Sequence, residues 1–160
     1  MADPAGERDD PFSGAGRGSR KPVIAVFNAS ADTVDLLRTA LEQQGFQTVI
    51  GHIPEVKSGE LDLIDFIQDH APAVIVYDIS PPYDANWTFL RLVRSAEHVK
   101  NRRFVITTTN KPALDNLVGA TDAIEIIGKP YDLQQVVDAV RAALDLTPPR
   151  VSGARDETRG

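Results

Sequence analysis

The chain has 160 residues, a formal net charge of -6 and no cysteine. That length accommodates one folded domain with one substantial core, and the lack of cysteine excludes disulfides and thiolate metal sites. The negative charge argues against extensive binding to nucleic acid, and no apolar run approaches the roughly 20 residues that a membrane-spanning helix needs. With no secretory signal in the N-terminal sequence, we expect a cytoplasmic protein.

The two ends of the chain differ in composition from its middle. Residues 1–20 are rich in glycine, proline, serine and charged residues and contain one aromatic residue, Phe12. Such a segment cannot bury enough apolar surface to offset the entropy of ordering. Residues 147–160 have the same character. We therefore predict disordered tails at 1–20 and 147–160 around a single domain at 21–146.

Between these tails, short apolar runs alternate with helical patterns. The predicted strands are 23–27, 48–50, 73–77, 104–107 and 123–127, and the predicted helices are 32–44, 61–70, 87–97, 112–118 and one after residue 131. The last helix is the clearest, because it has one apolar face and a capping-box pattern formed by Asp132 and Gln135. The chain thus predicts five strands alternating with five helices.

Most of the strands are almost continuously apolar, which is typical of parallel strands that are covered on both faces. Right-handed crossovers between parallel strands then favour helices on both sides of the sheet. We predict an α/β fold with a doubly wound, five-stranded parallel sheet of flavodoxin-like type and strand order 2-1-3-4-5.

Polar residues follow three of the predicted strands. Asp78 follows the third strand, Thr108 follows the fourth, and Lys129 with Pro130 follows the fifth. In an open α/β sheet, ligand chemistry collects beyond the carboxyl ends of the strands, so a carboxylate, a hydroxyl and an ammonium group there can meet around one small anion. Thr108 lies within a run of three threonines, which leaves the identity of the hydroxyl open by one position.

The segment 73–94, and with it residues 22–145 as a whole, resembles the receiver domains of bacterial response regulators. The resemblance implies that Asp78 accepts a phosphoryl group from a histidine kinase or phosphotransfer protein and that Thr108 and Lys129 contact that group. It also implies a magnesium ion held by Asp78 and the carbonyl oxygen of Ser80.

The sequence departs from the receiver pattern after the first strand, where the family has an acidic pair. Asn28 and Ala29 occupy that place, or Phe27 and Asn28 in a register one residue earlier. Asn28 still offers a neutral oxygen, but a full charge is missing, so we expect the magnesium ion to bind weakly or not at all. Asp32 and Asp84 are the candidates to supply the missing carboxylate.

Two further departures concern the switching of receivers. The strand-five position that is aromatic in the family is Ile126 here, and an aliphatic side chain cannot reproduce a ring rotation. Residues 83–86 also replace the usual Asp-Gly turn, which leaves the shape of the loop above the site open. We expect a docking surface that is fixed or that responds by another movement.

The resemblance thus implies a non-enzymatic signalling module of a two-component system that acts through protein contacts. The sequence predicts a stand-alone module without an attached DNA-binding domain, with a downstream protein partner and no membrane partner; homodimerisation stays open. The alternatives are a pseudo-receiver that docks or scaffolds without phosphorylation and, less favoured, a small-molecule-binding module. Ser80 argues against two other classes of protein. Cobalamin-binding modules would have histidine at this position, and haloacid-dehalogenase-type hydrolases would have a second aspartate.

Overall fold

The computed structural model describes residues 21–120 and 124–145. The predicted tails and the first residue of the predicted fifth strand lie outside these ranges. The strands are β1 (Val23–Asn28), β2 (Gln47–His52), β3 (Val74–Ile79), β4 (Arg103–Thr108) and β5 (Ile124–Gly128). The helices are α1 (Ala31–Gln43), α2 (Ile53–Ser58), α3 (Leu63–His70), α4 (Tyr83–Arg94), α5 (Lys111–Val118) and α6 (Leu133–Asp145).

The five strands form one parallel sheet in the order β2-β1-β3-β4-β5. This order confirms the predicted doubly wound, flavodoxin-like topology. The chain adds β2 on one side of β1 and the later strands on the other side, so the topological switch point lies between β1 and β3. β3 lies in the centre of the sheet, and its carboxyl end opens on the crevice where such folds bind ligands. The register pairs Asp78 on β3 with Thr107 on β4.

Each face of the sheet carries its own apolar core. On one face, residues such as Ile75 and Tyr77 of β3 pack against α2, α3, α4 and α5. On the other face, Val74 and Val76 pack against α1 and α6. Because successive strand residues point to opposite faces, a residue's place in this alternation decides which layer its side chain joins.

The capping box predicted at the last helix is confirmed. The backbone N–H of Gln135 donates to Asp132 Oδ1 over 3.0 Å, and the backbone N–H of Asp132 donates to Gln135 Oε1 over 2.9 Å. Two backbone donors at the start of α6 are thereby satisfied. This fixes the chain just after Lys129 and Pro130.

Three predicted elements need correction. A sixth helix, α2, lies where the sequence pattern predicted none, with Pro54 in its first turn and Gly59 in the left-handed conformation at its end. The helix α4 begins at Tyr83, four residues earlier than predicted, because its first turn is polar and carries no amphipathic signal. The strand β3 continues to Ile79, so Asp78 lies within the strand rather than after it.

Within the described residues, no helix combines the length and the apolar character needed to cross a membrane.

Candidate functional site

The carboxylate of Asp78 is the centre of the candidate site. The residue is 6% exposed, and its Oδ1 accepts a hydrogen bond from Thr107 Oγ1 over 2.6 Å. The ammonium group of Lys129 lies 2.7 Å from the same oxygen, with 30% of its side chain exposed. The structure therefore brings together a carboxylate, a hydroxyl and an ammonium group at the carboxyl ends of three adjacent strands.

The hydroxyl that meets the carboxylate belongs to Thr107, one position before the residue that the sequence suggested. Thr107 is paired with Asp78 in the register and points to the same face of the sheet. Thr108 points to the opposite face, and its Oγ1 accepts from the backbone N–H of Asn110 over 3.3 Å. Both threonines are fully buried, and of the two only Thr107 contacts the Asp78 carboxylate in the described residues.

Lys129 is held in place by the end of the sheet. Its backbone N–H donates to the carbonyl of Thr108 over 2.7 Å, and the preceding Gly128 pairs with Thr108 in the register. The ion pair with Asp78 offsets part of the cost of removing that carboxylate from water. The lysine side chain thus reaches the carboxylate from a fixed backbone position.

Two tyrosines respond to the charge of Asp78. Burial raises the pKa of Tyr77 to about 12, with a further contribution from the neighbouring Asp78 carboxylate. Burial also raises the pKa of Tyr131, and the Asp78 charge raises it further, whereas a hydrogen bond with Thr107 lowers it. Tyr131 therefore lies at the site, and sequence reasoning missed it although it directly follows Lys129 and Pro130.

The residues expected to bind magnesium already have partners. Asn28 is 3% exposed, and its Oδ1 accepts from the backbone N–H of Ser30 over 3.0 Å. The carbonyl oxygen of Ser80 accepts from Asn86 Nδ2 over 2.6 Å. Magnesium needs six oxygen ligands in near-octahedral geometry, usually with one or two carboxylates and substrate phosphates. As arranged, this donor set does not fit the ion.

In the described residues no hydrogen bond or ion pair joins Asp32 or Asp84 to Asp78, Asn28 or Ser80. Asp32 and Asp84 are exposed and lie in the first turns of helices, and Asp84 Oδ1 accepts from the backbone N–H of Ala85 over 2.9 Å. Across residues 21–120 and 124–145, no group of three or more histidines and carboxylates is placed to hold a metal ion.

The loops above the site are joined to each other. The phenol oxygen of Tyr83, at the start of α4, lies 2.7 Å from Thr109 Oγ1 in the loop after β4. The Asn86 amide closes the loop after β3 through the Ser80 carbonyl. Sequence analysis found neither contact, because both depend on α4 starting at Tyr83.

The fold is that of solved response-regulator receiver domains, which confirms the fold that the sequence resemblance implied. A receiver protein from Sinorhizobium medicae WSM419 is 22% identical, with a TM-score of 0.61 over 79% of this chain and 96% of that one. A sensor protein from Polaromonas sp. JS666 is 19% identical, with a TM-score of 0.62 over 81% and 100%. The chemotaxis protein CheY4 of Vibrio cholerae is 17% identical, with a TM-score of 0.59 over 78% and 99%.

No protein-family model matches the sequence, and no curated protein matches it. At these identities the likeness establishes the fold. A shared fold does not by itself fix the chemistry of the site.

Proposed function

We propose that this chain is a receiver-type signalling module of a two-component system, and that it acts through protein contacts rather than by turning over a substrate. One observation carries the proposal: the Asp78 carboxylate is buried at the carboxyl end of the central strand with Thr107 and Lys129 on one of its oxygens. The names of the similar structures, among them a response-regulator receiver protein and a chemotaxis protein, support the same role.

Asp78 is the proposed phosphoacceptor. Its hydrogen bond and its ion pair both fall on Oδ1, and no described residue donates a hydrogen bond to Oδ2. The Oδ2 atom would attack phosphorus to form an acyl phosphate, and the donor group would leave with the electrons of the bond that breaks. Lys129 would neutralise charge on the transferred oxygens, and the Thr107 hydroxyl would donate to one of them.

The partners follow from this chemistry. The phosphoryl donor would be a histidine kinase or a phosphotransfer protein, and a downstream protein would recognise the altered surface. Conversion of a carboxylate to an acyl phosphate adds charge beside Lys129, so the existing ion pair must rearrange. A rearranged ion pair is the local event that a partner could read.

A second candidate is a pseudo-receiver that docks or scaffolds without phosphorylation. Asn28 favours it, because a neutral amide stands where a carboxylate would help to hold a cation. In that role the pair of Asp78 and Lys129 would be purely structural. The two candidates make opposite predictions about the reactivity of Asp78.

The deciding experiment is intact-mass analysis after incubation with acetyl phosphate, with and without magnesium. We expect one hydroxylamine-sensitive phosphoryl adduct in the parent protein and in Asp84→Ala, which removes an exposed carboxylate in the first turn of α4, and none in Asp78→Ala. A folded parent protein that forms no adduct would contradict phosphoacceptance and favour the pseudo-receiver. Steady phosphatase turnover that disappears in Asp78→Ala would contradict the non-enzymatic role.

A further inference from the structure

We infer that the Asn86 amide takes the place of a metal ion in ordering the loop after β3, and that it keeps divalent cations from the Asp78 site. The inference rests on the proposed receiver role, because that role is what implies a metal at this position. It assigns a function to a residue in the segment that replaces the usual turn. Asn86 is a positioning residue here, since it contacts the loop and not the reacting carboxylate.

The side chain of Asn86 contacts the backbone of Ser80. Asn86 Nδ2 lies 2.6 Å from the Ser80 carbonyl oxygen in a partly buried position. Asn86 also belongs to the first turn of α4, where its backbone N–H donates to the Pro82 carbonyl over 3.1 Å. The helix therefore fixes the side chain that holds the carbonyl.

An amide donor and a magnesium ion compete for the same oxygen. A carbonyl oxygen has two lone pairs, but magnesium requires ligands at about 2.0–2.1 Å in strict geometry. The N–H group turns its positive end towards Ser80, so an ion bound to that oxygen would face a repulsive dipole. Binding of the ion would require the Asn86 side chain to leave.

The other two candidate donors are also engaged. Asn28 Oδ1 accepts from Ser30 and carries no charge, and Lys129 already places an ammonium group 2.7 Å from Asp78 Oδ1. At Asn28 a divalent cation would compete with the backbone N–H of Ser30, and at Asp78 it would bind the remaining oxygen, Oδ2, beside the positive charge of Lys129. The loop after β3 does not need the ion to be ordered, because the Asn86 amide already orders it.

The test is a magnesium titration of the parent protein and of variants at Asn86 and Asn28, singly and combined. Asn86→Ala frees the carbonyl of Ser80, and Asn28→Asp adds a charge while keeping the oxygen that accepts from Ser30. Fluorescence of Trp87, which adjoins Asn86 and is the one tryptophan in the chain, reports on the loop, and isothermal titration calorimetry measures the ion directly.

We expect no saturable magnesium response in the parent protein. Asn28→Asp should bind measurably, and the double variant Asn28→Asp/Asn86→Ala should bind about tenfold more tightly, the factor that corresponds to about 1.4 kcal/mol of lost competition. Asn110→Ala in the Asn28→Asp background is the matched control. It removes another amide, the one that accepts from the backbone of Ala113 at the start of α5, and it should leave magnesium affinity unchanged.

Saturable binding of magnesium by the parent protein would overturn the inference, as would equal affinities of Asn28→Asp and the double variant. If Asn86→Ala fails to fold by circular dichroism, Asn86→Ser provides a second variant whose shorter side chain cannot span to the carbonyl. The titration contains no phosphodonor. Its outcome is therefore separate from the adduct experiment, and failure of one does not imply failure of the other.

Discussion

Replacing Lys129 with Met should destabilise the protein more than replacing Asp78 with Asn, although both changes break the same ion pair. The reason is the unequal burial of the two side chains, 5% exposed for Asp78 and 30% exposed for Lys129. The lysine can turn its ammonium group to water when its partner is neutral. The carboxylate cannot reach water when the lysine is lost.

The magnitudes follow from this asymmetry. Removing one partner of a fully buried ion pair costs about 3–5 kcal/mol. In Lys129→Met the Thr107 hydrogen bond to the carboxylate remains, so we expect a loss of about 2 kcal/mol, which lies below that range. In Asp78→Asn the amide oxygen still accepts from Thr107, and we expect a change below about 1 kcal/mol.

Urea unfolding measures the difference. The midpoint followed by Trp87 fluorescence and by circular dichroism should fall more in Lys129→Met than in Asp78→Asn, with unchanged slopes. The double variant should be more stable than Lys129→Met alone, because it no longer buries an unpaired carboxylate. If Asp78→Asn loses as much stability as Lys129→Met, the burial argument is wrong.

Two further predictions concern neighbours of the carboxylate. Thr107→Val should lower the free energy of unfolding by about 1.5–3 kcal/mol, because it removes a hydrogen bond to a charged group. Thr108→Val loses only a long hydrogen bond and should lower that free energy less. Equal losses in urea unfolding would mean that the wrong threonine has been assigned to the site. The pKa of Tyr77 rises from 10.0 in the unfolded chain to about 12 in the folded protein, so its contribution to stability is complete below the lower value and falls by about 1.4 kcal/mol per pH unit between the two. Tyr77→Phe should flatten this part of the alkaline stability profile, and identical parent and variant profiles would refute the assignment.

The sequence predicted a parallel sheet because the middle residues of β1, β3 and β4 and most of β5 are apolar, which is typical of parallel strands covered on both faces. The predicted strand order is the common one for a doubly wound sheet of five strands. The apolar character of the strands also hid the choice between Thr107 and Thr108. A strand with one solvent-facing side has an alternating pattern that fixes which residues point where. In β4 both faces are buried, so the pattern contains no such signal, and only the register with β3 decides.

Other parts of the site depend on how neighbouring segments meet, which the apolar pattern of the sequence does not show. The side chain of Asn86 meets Ser80 only because α4 begins four residues before its amphipathic pattern does. Tyr131 approaches Thr107 because the capping box turns the chain directly after Lys129. Asp78 and Lys129 were predictable, since charged residues beside buried strands are rare and both lie near strand ends.

The sheet lies between the candidate site and Trp87, the one tryptophan of the chain and the natural fluorescence reporter. Asp78, Thr107 and Tyr131 lie on the side of the core formed with α1 and α6, whereas Trp87 packs in the core of the opposite face. A fluorine label on Tyr131 would therefore sense a change of charge at the carboxylate directly in an NMR spectrum. A fluorine label on Trp87 would sense the loop after β3 instead. The two resonances together would distinguish a change of charge at Asp78 from a rearrangement of that loop.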